Sequence, residues 1–145
     1  MIFVLLSPPV KRCLRHHGLM AGGSARTVLV ADDEAMLLRL VDSVLRRAGF
    51  QVVTAATRTE ALEAFSEDPA AIDAVLIDAG MPPSGAVEIL QSMLALRRGV
   101  GVIVSSGASP SDEIQELLAG CGGLFLSKPF DPAALVSAVS AVGRH

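Results

Sequence analysis

Polar side chains stand at the ends of four apolar runs, in positions that a hydrophobic core does not use. Asp32 and Asp33 follow the run TVLVA, and Asp78 follows AVLI. Ser106 ends VIVSS, and Lys128 follows LFLS. If the four runs are neighbouring parallel strands, these side chains meet at the carboxyl edge of one sheet. Three carboxylates, a hydroxyl and an ammonium at one edge would form a metal and phosphoryl site.

The three carboxylates predict a magnesium site. Like charges at short distance repel one another, and a divalent cation between them removes the conflict. Hard oxygen ligands with open coordination positions suit Mg²⁺, which completes its shell with water and phosphate oxygens. Because neither Cys nor His belongs to the group of Asp32, Asp33 and Asp78, zinc is a poor fit.

Asp78 is the candidate nucleophile, because it stands alone at its strand end and a turn, AGMP (79–82), follows it. A carboxylate beside a metal can attack phosphorus and form an acyl phosphate. Lys128, one of two lysines against ten arginines, would neutralise the charge that develops on the phosphoryl oxygens. The Ser106 hydroxyl and the backbone amide of Gly107 would contact the same oxygens.

Each of these residues also has an ordinary structural explanation. Asp32 and Asp33 could favour the dipole at the start of a helix, and Asp78 could be a turn former. Serines commonly end strands, and Lys128 could be a solvated surface charge. The placement of all of them at one predicted sheet edge favours the functional interpretation.

Strands alternate with helices from Thr27 onward, and this alternation predicts the scaffold. The strands are expected at 27–31, 51–55, 74–77, 102–105 and 124–126. The first helix has an apolar stripe with a period of 3.6 residues, formed by Leu37, Leu40, Val41, Val44, Leu45 and Ala48. The later helices are predicted to start at the Thr57 cap, at about Ala86, at Ser109-Pro110 and at Asp131-Pro132.

Five strands alternating with five helices predict an α/β fold with a parallel sheet covered on both faces. Right-handed crossovers leave few topologies. We expect the flavodoxin-like, doubly wound order 2-1-3-4-5, in which strands 1 and 3 lie side by side at the switch point.

Length and composition limit the function classes. The 145 residues suffice for one domain, predicted at 26–145, after an extension at 1–25 that is either flexible or a mis-assigned start, with Met20 as the true start. A net charge of −3 gives no basic field for nucleic acid. No apolar run reaches the length of a membrane span. Cys13 and Cys121 fit free thiols, so we expect a cytoplasmic protein.

Four motifs resemble the receiver domain of bacterial two-component response regulators: VLVADDE (28–34), VLIDAGMPPSG (75–85), VIVSSG (102–107) and FLSKPF (125–130). The resemblance extends over about 27–142. It implies that Asp78 is the phosphoacceptor. It also implies that Asp33, Asp78 and the Gly80 carbonyl bind Mg²⁺ directly, while Asp32 acts through metal-bound water.

The resemblance implies roles for the remaining site residues. Ser106 would be the switch hydroxyl that moves toward the phosphoryl group, and Gly107 would offer its amide. Lys128 would pair with the phosphoryl group, and its bond to Pro129 would be cis. Phe125 would be the aromatic switch whose rotamer follows Ser106.

Several positions depart from the usual pattern of that family. Gly80 and Ala108 are small where family members carry side chains that help or hinder attack by water, so the phosphoryl lifetime stays open. Ala86 replaces the usual Gly of the loop, with Gly85 one place earlier, so an altered loop is expected. Phe125 replaces the commoner Tyr and lacks its hydroxyl.

The resemblance implies a single-domain response regulator that is not an enzyme beyond its own phosphotransfer and autodephosphorylation. A sensor histidine kinase or a histidine phosphotransfer protein would supply phosphoryl to Asp78. The face made by the fourth helix, fifth strand and fifth helix would dock a target protein, and a homodimer stays open. The chain stops soon after the fifth helix, so no output module is expected.

Three alternatives remain open. The chain could be a relay receiver detached from a hybrid histidine kinase, or a binding module that works without phosphorylation. A phosphatase of the haloacid dehalogenase type would share the Asp nucleophile, the Mg²⁺ and the Lys. That family needs a second Asp two residues after the nucleophile, and here Ala79-Gly80 follows Asp78.

Overall fold

The computed structural model describes residues 25–81 and 85–142, which contain five strands that alternate with five helices. A short 3₁₀ turn, Pro69–Ala71, follows the second helix. The strands are β1 Thr27–Ala31, β2 Gln51–Ala55, β3 Ala74–Asp78, β4 Gly101–Ser106 and β5 Leu124–Ser127. The helices are α1 Ala35–Arg47, α2 Arg58–Glu67, α3 Ala86–Leu96, α4 Asp112–Cys121 and α5 Pro132–Ala141.

The five strands form one parallel sheet in the order β2-β1-β3-β4-β5, which confirms the predicted flavodoxin-like fold. Every residue of β1 and β3 is buried because helices cover both faces of the sheet. Alternate side chains of β1 therefore join two separate cores. Leu29 packs with residues of α2, α3 and α4, while Val28 packs with residues of α1 and α5.

The register of the sheet aligns the ends of its central strands. Asp78, the last residue of β3, is the register partner of Ser105 in β4. The backbone amide of Ala79 then donates to the Ser105 carbonyl at 2.8 Å. Parallel pairing thus continues one residue past the strand and holds Asp78 at the carboxyl edge.

The structure corrects the predicted stripe of α1. Leu40 is 55% exposed, whereas Val41 and Leu45 are buried. At about 100° per residue, Leu40 lies about 120° from the midpoint between Val41 and Leu45, outside the buried arc. Ala48 is also exposed, because it lies at the C-cap, after the last residue of the helix.

The predicted start of α4 is also wrong. The helix begins at Asp112, and Ser111 caps it by accepting a hydrogen bond from the Ile114 amide at 3.2 Å. Pro110 therefore precedes the cap and is not the first helical residue. Two serines flank that proline, and the second one places Asp112 in the first turn, where a carboxylate favours the helix dipole.

The other predicted helix starts are confirmed. Thr57 caps α2 by accepting from the Glu60 amide at 3.1 Å, and the Glu60 carboxylate accepts from the Ala56 amide at 2.8 Å. α3 begins at Ala86. Asp131 caps α5 by accepting from the Ala134 amide at 2.7 Å. The caps at Thr57 and Asp131 fix where α2 and α5 leave the carboxyl edge of the sheet.

The predicted N-terminal extension lies almost wholly before the first described residue. Residues 1–24, with Met20 and Cys13, lie outside the described part of the chain. Within the described ranges, each helix is too short or too polar to cross a lipid bilayer.

Candidate functional site

Three carboxylates converge where β1 and β3 end. Asp32 follows β1 and Asp78 ends β3, and both are buried, with 5% and 7% of their surfaces exposed. Asp33 is exposed. One oxygen from each of the three carboxylates lies within 4.8 Å of the others. This oxygen-only donor set fits one Mg²⁺ ion, with an exposed side open to water or phosphate.

The turn after β1 holds Asp32 in place. The backbone amide of Asp32 donates to the Ala55 carbonyl at 3.1 Å, which extends the pairing of β1 with β2. Its Oδ1 accepts from the Glu34 amide at 2.9 Å. Because Oδ1 is occupied in this turn, Oδ2 is the oxygen that faces the neighbouring strand ends.

Lys128 reaches the carboxylates across the end of β4. Its backbone amide donates to the Ser106 carbonyl at 2.8 Å, which anchors the start of the loop after β5. Its Nζ donates to Asp32 Oδ2 at 3.0 Å and to Asp78 Oδ1 at 3.2 Å. The bond to Pro129 is cis, as expected. One ammonium therefore links the ends of β1, β3 and β5.

Glu34 is a site residue that the sequence reasoning missed. Lys128 Nζ also donates to Glu34 Oε1 at 3.2 Å. The run DDE (32–34) contained the signal, because a third acidic residue directly after the pair can turn back toward the same cation. Sequence alone did not show that the turn at Asp32 brings Glu34 to Lys128.

Burial and the hydrogen bonds between Lys128 and the carboxylates shift the pKa values of the site residues in opposite directions. Burial raises the pKa of Asp78 above its ordinary value. The Lys128 hydrogen bond lowers that pKa, and the like charge of Asp32 raises it further. Burial by itself lowers the pKa of Lys128, but its hydrogen bonds to Asp32 and Asp78 outweigh this, so its pKa is raised. The positively charged form of Lys128 is thus favoured, and it lies beside the Asp78 carboxyl group, whose ionised form is disfavoured by burial.

The structure places the other predicted residues around this centre without joining all of them to it. The Gly80 amide donates to Asp78 Oδ1 over a long 3.4 Å. Ser106 is half-buried, and its Oγ accepts from the Ala108 amide at 3.0 Å, so its hydroxyl is held within its own loop. Gly107 is exposed with open space around it. Phe125 is partly buried against the core next to α2, α3 and α4.

The loop after β3 depends on Gly85. This residue has φ of 82°, a conformation that side chains with a Cβ rarely adopt. A Cβ there would lie 3.0 Å from the Ala79 carbonyl oxygen. The glycine that this loop requires is therefore Gly85, and Ala86 is free to begin α3 as a buried residue.

Known proteins share this sequence pattern and this fold. The family described as the response regulator receiver domain matches residues 28–140. The transcriptional regulatory protein KdpE of Mycobacterium tuberculosis is 32% identical over 118 residues, which cover 81% of this chain and 51% of KdpE. The chemotaxis protein CheY of Thermotoga maritima is 26% identical over 120 residues, which cover 82% of this chain and 98% of CheY.

Solved structures agree with these sequence matches. A CheY-like receiver domain protein from Methanospirillum hungatei superposes with a TM-score of 0.73 at 25% identity, covering 81% of this chain and 92% of that one. The chain spans about half the length of the transcriptional regulators that it matches.

Proposed function

Because this chain belongs to the response regulator receiver family, we propose that Asp78 accepts a phosphoryl group in a magnesium-dependent reaction. The observation that carries the proposal is the convergence of Asp32, Asp33 and Asp78 on one point beside the Lys128 ammonium. A buried carboxylate at a sheet edge, next to a cation and an open metal site, suits nucleophilic attack on phosphorus.

The proposed donor is a sensor histidine kinase or a histidine phosphotransfer protein. An Asp78 carboxylate oxygen attacks the phosphorus of a phosphohistidine, and an acyl phosphate O–P bond forms. The P–N bond breaks, and its electron pair stays on the imidazole nitrogen. A ring that already carries a proton on its other nitrogen leaves as neutral imidazole, and a ring without one takes up a proton from water. Lys128 donates hydrogen bonds to the phosphoryl oxygens as their charge develops.

Mg²⁺, when bound, supplies charge neutralisation for the phosphoryl oxygens. Asp33 and Asp78 would hold it directly with the Gly80 carbonyl, and Asp32 through a water ligand. Gly107, which is exposed, would offer its amide to a phosphoryl oxygen.

The proposed output is a change in protein docking. Ser106 would leave its turn with the Ala108 amide and move toward the phosphoryl group, and the rotamer of Phe125 would follow. The face made by α4, β5 and α5 would then change its affinity for a target protein or a second copy. We propose this signalling role in place of multiple-turnover catalysis. A place in a phosphorelay, downstream of a hybrid kinase, uses the same chemistry.

A direct test is phosphorylation of the full chain with acetyl phosphate and Mg²⁺, followed by intact mass. We expect a gain of one phosphoryl group that EDTA prevents and hydroxylamine removes, since hydroxylamine cleaves acyl phosphates. Asp78→Asn should abolish the gain, and the matched control Asp112→Asn, an exposed Asp at the start of α4, should retain it. No gain in the wild type, or the same gain in Asp78→Asn, would refute the proposal.

A further inference from the structure

All three N–H donors of the Lys128 ammonium have an acceptor. An ammonium has three donors and no acceptor, and Nζ contacts Asp32 Oδ2, Glu34 Oε1 and Asp78 Oδ1 at 3.0, 3.2 and 3.2 Å. A phosphoryl oxygen at Asp78 therefore obtains a hydrogen bond from Lys128 only when one of these acceptors gives way.

Exposure decides which acceptor gives way. The Asp32 and Asp78 side chains are 6% and 9% exposed, so either one would lose its partner without full compensation from water. Asp32 is also held by the Glu34 amide, and Asp78 is the residue that carries the phosphoryl group. The Glu34 side chain is 65% exposed, and water can replace Lys128 there at little cost.

The Glu34 side chain does not cap α1. Glu34 stands at the N-cap position, but its side chain makes no capping hydrogen bond. Its backbone amide, which every residue type would supply here except proline, makes the bond to Asp32. The carboxylate can therefore be changed while the turn that positions Asp32 is kept.

We propose that Glu34 competes with the phosphoryl group for Lys128 and thereby restrains phosphorylation of Asp78. This inference rests on the proposed function. Glu34 acts in two ways, both through charge. Its carboxylate occupies the donor that a phosphoryl oxygen needs, and it repels an anionic phosphodonor at the mouth of the site. Glu34 is thus a positioning residue that sets how readily the site accepts phosphoryl.

The test compares Glu34→Gln with the wild type and with Glu63→Gln, a control that removes one exposed carboxylate from α2. Reaction rates are measured at saturating Mg²⁺ with two small donors. Acetyl phosphate is a dianion near neutral pH, whereas phosphoramidate carries less net negative charge. We expect Glu34→Gln to react about three- to tenfold faster with acetyl phosphate. This factor corresponds to the interaction energy of one solvent-screened charge with the donor at contact distance.

The electrostatic origin predicts three further results. The gain with phosphoramidate should be smaller than with acetyl phosphate, and raising the salt concentration should shrink both gains. Beryllofluoride, which stands in for the phosphoryl group on Asp78, should bind Glu34→Gln more tightly by a similar factor, measured by ¹⁹F NMR with Mg²⁺. Glu63→Gln should match the wild type in every measurement.

The outcomes separate this inference from the proposed function. If the wild type never gains a phosphoryl group, both fail. If the wild type is phosphorylated and Glu34→Gln matches it in rate and beryllofluoride affinity, only the role of Glu34 is refuted. An acceleration that is equal for both donors would refute the repulsion of anionic donors. An acceleration that is insensitive to salt and comes without tighter beryllofluoride binding would indicate a structural effect, and would also refute competition for Lys128.

Discussion

The Nζ of Lys128 lies 3.2 Å from Oδ1 of Asp78, although 50 residues separate the two in the chain. The parallel sheet makes this contact, because β3 and β5 end at the same edge with only β4 between them. The contact has opposite effects on the two groups. It raises the pKa of Lys128 and lowers that of Asp78, which burial nevertheless keeps above its ordinary value.

The raised pKa of Asp78 makes its ionised form a cost to the folded protein. We expect Asp78→Asn to increase the free energy of unfolding in EDTA at pH 7 by about 0.5–1 kcal/mol, allowing for solvent screening at the sheet edge. The gain should shrink as the pH falls through the folded-state pKa of Asp78, because the wild-type carboxyl then takes up a proton. Urea unfolding at a series of pH values measures this.

Glu63→Gln is the control for that series, since Glu63 is exposed in the middle of α2 and outside the site. A wild type that is more stable than Asp78→Asn at pH 7 without metal would contradict the assigned electrostatics.

Mg²⁺ should stabilise the folded protein through the three carboxylates. Binding only to the folded state adds about 1.4 kcal/mol for each tenfold rise in free Mg²⁺ above its Kd. Asp33→Asn should abolish most of this gain and change the stability in EDTA by less than about 0.5 kcal/mol, because Asp33 is exposed. Thermal unfolding with a Mg²⁺ series checks both. Equal Mg²⁺ stabilisation of the wild type and the variant would exclude Asp33 as a ligand.

Two leucines of α1 should differ sharply in their contribution to stability. Leu45 is completely buried and Leu40 is 55% exposed. We expect Leu45→Ala to cost about 2–5 kcal/mol, by transfer free energy and cavity formation, and Leu40→Ala to cost less than about 1 kcal/mol. Chemical denaturation of the pair tests this without changing the site. Similar losses in both variants would mean that the buried arc of α1 is wrongly assigned.

Gly85→Ala should destabilise the loop after β3. The positive φ and the 3.0 Å approach of a Cβ to the Ala79 oxygen predict a loss of about 1–2 kcal/mol. Gly120→Ala is the matched control, since it lies within α4 with open space around it, and alanine should stabilise the helix by up to about 1 kcal/mol. We expect the two variants to change the free energy of unfolding in urea in opposite directions. A Gly85→Ala variant as stable as the wild type would refute the strain.

Local signals predicted most of the scaffold because each acts over a few residues. The apolar runs predicted the strands, and the Thr57 and Asp131 caps predicted two helix starts. The start of α4 was predicted wrongly because Ser109 and Ser111 offer the same hydroxyl, and only the folded backbone selects between them. Leu40 was misplaced because a 3.6-residue period does not say which part of an apolar stripe meets the sheet.

The sequence by itself determined that Asp32, Asp33, Asp78 and Lys128 stand at strand ends, since hydrophobic runs and their polar stops are local properties. It also determined the parallel topology, because alternating strands and helices leave few ways to cover both faces of a sheet. Only the tertiary structure decided that Glu34 takes the third donor of Lys128 and that Ser106 bonds within its own loop. Such contacts depend on distances of a few ångströms between elements far apart in the chain, and no residue spacing specifies them.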